Sequence, residues 1–112
     1  MNSQETINKI LHDVDGATEV FFCGYDGIII YKSSLYESKI DIDLIAANYV
    51  SAFKHLPIIN NQFKEMICYY AQYIVIVKLM DDGFFGIMLG LDGNVGRAKM
   101  ELNKLGGGFI SW

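Results

Sequence analysis

This sequence is short of the features that most often give a function away. It has one arginine, Arg97, and its lysines (Lys32, Lys39, Lys54, Lys64 and Lys78 among them) are scattered rather than clustered. With a formal net charge of −4, it lacks the basic patch that nucleic acid or an anionic membrane surface requires. Its longest apolar runs, Tyr73–Val77 and Phe84–Leu91, have the length of strands and fall far short of a membrane span. Glu5, Asp13 and Asp15 interrupt any apolar targeting segment at the start. There is no internal repeat, linker or low-complexity stretch. The two cysteines, Cys23 and Cys68, are widely separated inside apolar runs and read as reduced, buried residues of a cytoplasmic protein.

What is present is apolar. Counted with Gly in place of Tyr, apolar residues come to about 55% of the 112 residues, against a usual share of roughly 45–50%. The chain is expected to form a single domain over residues 1–112, large enough to be stable without staples. Its limited interior leaves some apolar surface for an interface.

The hydrophobic periods give the element order. Ile7, Ile10, Leu11 and Val14 follow the i, i+3, i+4, i+7 spacing of an amphipathic helix ending near Asp15-Gly16. Strands are expected over Glu19–Gly24 and Ile28–Ser33, joined through Tyr25-Asp26-Gly27, because Asp-Gly between apolar runs supplies the positive φ of a hairpin turn. The run Ile28–Tyr31 is apolar on both faces, which places it between layers or beside another subunit. After a polar loop, Ser33–Lys39, a second helix runs near Asp43–Leu56, capped by Asp41 and stopped by Pro57. Strands over Gln62–Tyr70, Tyr73–Met80 and Phe84–Leu91 follow, turning at Ala71-Gln72 and Asp82-Gly83. Val95, Ala98, Leu102 and Leu105 mark a last helix, ended by Gly106-Gly107-Gly108. The chain reads as α-β-β-α-β-β-β-α, an α+β domain.

The second helix carries the apolar surplus. On a helical wheel, Ile42, Ile45, Ala46, Tyr49, Val50, Ala52, Phe53 and Leu56 cover roughly 160°, wider than the ~100° that a helix resting on a sheet needs. Its far side aligns Leu44, Ala47 and Ser51, flanked by Asn48 and His55. Small side chains there let another backbone come close. In the third strand, Met66, Cys68 and Tyr70 share one face, and Phe63, Ile67 and Tyr69 the other. Such a two-sided apolar strand at a sheet edge asks for a pairing partner.

Chemical sites fare poorly. The segment Gly90–Arg97 joins a strand to a helix but lacks the Lys-Ser/Thr of a P-loop and the dinucleotide spacing. Asp92 would repel an anion, and Asp92 or Asn94 reads better as the helix cap. His12, His55, Cys23 and Cys68 have no ligand-motif spacing. The pairs Asp41/Asp43 and Asp81/Asp82 fall at a helix start and a turn, where acidic residues are structurally favoured. No catalytic, cofactor-binding or metal-binding residue is assigned, and a dedicated enzyme is not expected.

The hairpin YDGIII at Tyr25–Ile30, the Ala-rich helix at Ile42–Leu56 and the closing GIMLGLDGNVGRAKMEL at Gly86–Leu102 together resemble the roadblock (dynein light chain roadblock-type) family. The resemblance implies a five-stranded antiparallel sheet with one helix on one face and two on the other. It implies pairing through the second helix and third strand into a ten-stranded sheet, and regulation or scaffolding of a small Ras-like GTPase. Carried over, Ala46, Tyr49, Val50, Phe53, Met66, Cys68 and Tyr70 form the dimer interface, while Leu44, Ala47, Asn48, Ser51 and His55 face the GTPase. The family's mode of action needs no inserted arginine, and Arg97 sits far from that platform. Two alternatives stand beside this reading. One is a profilin- or PAS-like sensor whose pocket is lined by Phe21, Phe22, Tyr31, Tyr49, Phe53, Tyr69 and Phe84; the other is an adaptor indifferent to nucleotide state.

Overall fold

The computed structural model describes residues 2–35, 41–53 and 65–105. Its elements run α1 (Ser3–Asp13), β1 (Ala17–Cys23), β2 (Ile29–Ser34), α2 (Ile42–Phe53), β3 (Glu65–Tyr69), β4 (Tyr73–Leu79), β5 (Phe84–Gly90) and α3 (Val95–Asn103). This is the expected order, with strand ends moved by one or two residues. The early part of the expected third strand, Leu56, Pro57 and the closing glycines lie outside the described residues.

The strands form one sheet in the order β2-β1-β5-β4-β3, and every neighbouring pair is antiparallel. Side chains alternate across it. Phe85, Ile87 and Leu89 of β5 join Val20, Phe22, Ile74 and Ile76 in a core capped by Ile7, Ile10 and Leu11 of α1 and Ala98 and Leu102 of α3. On the opposite face, Phe21, Val75, Val77, Phe84 and Met88 form a second core under Ile42, Ala46, Tyr49, Val50 and Phe53 of α2. Two helices thus cover one face and one helix the other. No helix among the described residues is long and apolar enough to cross a membrane.

The helix starts follow from capping. The Asn2 Oδ1 accepts from the Glu5 amide at 2.8 Å, and its Nδ2 donates back to the Glu5 carboxylate at 3.1 Å. Asp41 accepts from the Leu44 amide at 3.1 Å, and Asn94 rather than Asp92 accepts from the Arg97 amide at 2.9 Å. Each satisfies an amide that the first turn leaves without an intrahelical partner. Gly27 takes φ +88° in the β1–β2 turn, as the hairpin geometry demands.

The isoleucine run does not lie between layers. Ile29 packs into the α2-side core and Tyr31 against the other, while Ile28 and Ile30 face solvent. The physical reason is that β2 is an edge strand with a register shift where β1 passes from Phe22 to Cys23, so the pairing steps from Tyr31 to Ile29.

At the other end of the molecule, Lys78 of β4 donates from Nζ to the Leu102 carbonyl at 2.8 Å and the Leu105 carbonyl at 3.4 Å. A charge-assisted bond to the carbonyls ending α3 ties that helix to the sheet and complements its dipole. Lys78→Met keeps the aliphatic stem and removes the ammonium. It is expected to destabilise the protein by about 1.5–3 kcal/mol, read as a lower urea midpoint with an unchanged slope. No change in midpoint would mean that the cap contributes nothing.

Candidate interaction surface

The surface worth attention is built by α2 and the neighbouring edge of the sheet. The helix buries one side completely: Ile42, Ala46, Tyr49, Val50 and Phe53 are each no more than 8% exposed. Phe53 and Tyr49 meet the Phe84 ring edge-on, at centroid distances of 5.1 and 6.4 Å. The buried residues include Ala46, Tyr49, Val50 and Phe53, the helix residues expected at a dimer interface. They are consumed by the chain's own sheet, because a lone helix on that face must cover β1, β5 and β4 by itself.

The apolar surplus lies instead on a flank. Ile45 is half-buried and Ala52 exposed. They share the side of the helix from which Tyr49 reaches toward β3, its hydroxyl 2.7 Å from that of Tyr70. Burial, then the hydrogen bond to Tyr70, holds the Tyr49 hydroxyl far above its ordinary pKa, so Tyr49 stays neutral. Tyr70 in turn stacks on Tyr73 at 4.6 Å. Sequence reasoning had both tyrosines on the same surface but not in contact. The available signal was the choice of Tyr over Phe at two positions that are otherwise apolar, since a buried hydroxyl needs a partner.

Strand β3 lies at the end of the sheet, paired with β4 alone among the described residues. Met66 and Cys68 face the α2-side core and Ile67 the other, as the alternation requires. All three are only partly buried, and Tyr69 is 71% exposed. The outward face of α2 presents Leu44, 58% exposed, with Ala47, Asn48 and Ser51. His55 lies outside the described residues. The expected platform residues that can be located therefore do share one solvent-facing side.

The chemistry-bearing groups sit elsewhere. Arg97 is on α3, across the sheet from α2, and donates from Nε to Glu101 at 3.0 Å; Lys104 meets the same carboxylate at 3.1 Å. Burial opposes ionisation of Glu101, but its bonds to Lys104 and Arg97 prevail and hold its pKa below the ordinary value. Burial, helped by Asp26 and Asp43, pushes the Cys23 thiol up to about 11, which leaves it unreactive at neutral pH. His12 is exposed on α1. No three His, Cys, Asp or Glu among the described residues gather as metal ligands.

The aromatics proposed to line a sensor pocket are divided by the sheet. Phe22 and Tyr31 belong to one core, Phe21, Tyr49, Phe53 and Phe84 to the other, and Tyr69 points to solvent. An open cleft of about 280 Å³ lies away from them, lined by Leu11, His12, Val14 and Leu35 with the Asp15–Thr18 turn.

With this arrangement in hand, solved structures provide a decisive match. MglC from Myxococcus xanthus superposes with a TM-score of 0.69 over 93% of this chain and 92% of its own, at 20% identity. A Roadblock/LC7 domain from Streptomyces avermitilis gives 0.75 over 93% and 91%, at 11% identity. The fold is that of a roadblock/LC7 domain. Myxococcus xanthus MglB agrees, with a TM-score of 0.77 over 91% of this chain and 86% of its own at 12% identity. No family model and no curated protein matches the sequence.

Proposed function

We propose that this chain is a cytoplasmic, homodimeric regulatory or scaffold protein that binds a small Ras-like GTPase, altering its hydrolysis or localisation without a catalytic centre of its own. The observation that carries the reading is the unburied outer side of α2, where Leu44 stands beside Ala47, Asn48 and Ser51. Small side chains around one apolar residue let a partner's backbone approach closely. The edge of β3, unpaired on its outer side among the described residues, with Met66 and Cys68 half-covered and the Ile45/Ala52 flank beside it, supports pairing of two copies. A two-fold contact there would extend the sheet and remove an edge that is otherwise an aggregation hazard. The roadblock/LC7 fold, shared with MglB and MglC, and the family resemblance of the sequence favour the GTPase as partner.

The test is a double substitution, Ala47→Arg with Ser51→Arg, assayed against small GTPases encoded nearby, loaded with GDP or a non-hydrolysable GTP analogue. Both residues are exposed, so the variant should fold and keep the parent mass by light scattering. Binding should weaken by about 100-fold, as two long cations fill a close contact (roughly 3 kcal/mol). Undiminished binding by the folded variant would rule out this platform. Binding indifferent to the nucleotide would instead indicate a structural adaptor.

A further inference from the structure

The sheet ends in two strands, β2 and β3, and their outer margins are built differently. At β2 the Leu35 amide donates to the Thr18 carbonyl at 3.0 Å, in line with the pairing of Glu19 with Ser34, Val20 with Ser33 and Phe21 with Lys32. Antiparallel ladders alternate pairs that exchange hydrogen bonds with pairs that do not. Thr18–Leu35 and Val20–Ser33 are therefore bonded pairs. The main-chain N–H and C=O groups of Lys32 and Ser34 then point away from β1, at the margin of the sheet. The same reasoning holds for β3: the Tyr70 amide donates to the Tyr73 carbonyl at 2.9 Å, so Ile67 and Tyr69 turn their main-chain groups outward.

The outward carbonyl of Lys32 is already taken. Gln4 of α1 donates to it from Nε2 at 3.2 Å. A second bond from the same nitrogen, to Asn8 Oδ1 at 3.0 Å, holds the amide from one turn further along the helix. The strand itself shifts register between Phe22 and Cys23, whereas β3 pairs with β4 without a break. Covering an edge from a neighbouring element and bending it with a bulge are means by which sheets avoid joining edge to edge.

Without the Gln4 amide, the margin of β2 matches itself. In an antiparallel contact of two copies centred on Ser33, the N–H and C=O of Lys32 meet the C=O and N–H of Ser34 in the second copy. The exposed Lys32 side chain then lies opposite a serine, so like charges are not directly opposed. With the amide in place, half of these main-chain bonds are contested, and the Gln4 side chain fills space that the incoming strand needs.

We propose that β2 is a second pairing edge for another copy of this chain, held shut by Gln4, so that assembly stops at the pair formed through β3. The inference rests on the pairing through β3 proposed above. A chain with both edges open would join copies alternately through β3 and β2 and grow without closing. With β2 shut, it closes at two.

The experiment compares the full chain with Gln4→Ala and Gln4→Met, by light scattering and amide hydrogen exchange across a dilution series. Both substitutions remove the amide and suit a half-buried helix position. In the parent, exchange at Ile67 and Tyr69 should slow as concentration rises, while Lys32 and Ser34 stay fast and the mass levels off at two copies. In both variants the mass should pass that plateau by about two-fold or more, with exchange at Lys32 and Ser34 slowed about ten-fold. Parental mass in the folded variants, growth that leaves Lys32 and Ser34 fast, or growth with Ala but not Met would each overturn the proposal. Fast exchange at Ile67 and Tyr69 of the parent at every concentration would count against the β3 pairing instead. Slowing at Lys32 and Ser34 confined to the variants would then still support the guard.

Discussion

Replacing Phe84 by Ala is expected to remove about 4 kcal/mol of stability, a large part of the roughly 5–15 kcal/mol that a domain has. Phe84 is fully buried at the start of the central strand. Its ring meets four others: Phe53 at 5.1 Å, Phe21 at 6.1 Å, Tyr25 at 6.3 Å and Tyr49 at 6.4 Å. Two of those rings belong to α2 and one to the β1–β2 turn, so the cavity left by Ala opens under the helix and the turn together. The effect should be local before it is global. Hydrogen exchange is expected to quicken first across Ile42–Phe53, while α1 and α3, on the other side of the sheet, keep their protection. Phe84→Leu, which refills much of the volume, should lose less than half as much. Uniform loss of protection in all three helices would mean that the two cores do not behave separately.

Gly86→Ala is expected to cost about 3 kcal/mol, although it adds one methyl group. Gly86 faces the α2-side core opposite Phe21 in the β1–β5 ladder. A Cβ there would lie 2.3, 2.5 and 3.0 Å from three atoms of the Phe21 ring. That ring is itself fully buried and edge-on to Phe84, so it cannot turn out to solvent. Overpacking of this kind costs roughly 1–3 kcal/mol and sometimes more. Gly27→Ala is the control. Its φ of +88° strains any side chain, but nothing lies within 4 Å of the added atom, so the loss should be only about 1–2 kcal/mol. Pairing Gly86→Ala with Phe21→Leu should recover part of the loss, a coupling of at least about 1 kcal/mol in a double-mutant cycle. Equal urea midpoints for Gly86→Ala and Gly27→Ala would refute the steric account.

These two residues also mark what was legible in the sequence. The element order and the assignment of residues to faces follow from period alone, since alternation and 3.6-residue spacing are local properties. Hence Ile7, Ile10 and Leu11, and Met66 against Ile67, fall where they were expected. In the sequence the glycine at 86 is one more member of the apolar run Phe84–Leu91. Its purpose depends on a ring 65 positions earlier, which no local pattern records.

The candidate surface divides the same way. The outward set Leu44, Ala47, Asn48 and Ser51 was readable because exposure on a helix is periodic. For the inner set, a wide apolar arc does not say which part the chain's own sheet covers. That answer needed the strand order, which leaves α2 alone on its face and β3 at the end of the sheet.

The strand order has a consequence in time as well. The strand at the centre of the sheet, β5, is the last of the five to leave the ribosome, and it pairs with both β1 and β4. Until Phe84–Gly90 has emerged, the N-terminal pair β1–β2 and the later pair β3–β4 have no strand to join them. Synthesis at roughly 5–20 residues per second makes the wait of β1 several seconds, with Phe21 and Phe22 uncovered throughout. Chaperone dependence during translation should therefore fall sharply once β5 is out, because one strand closes both halves at once.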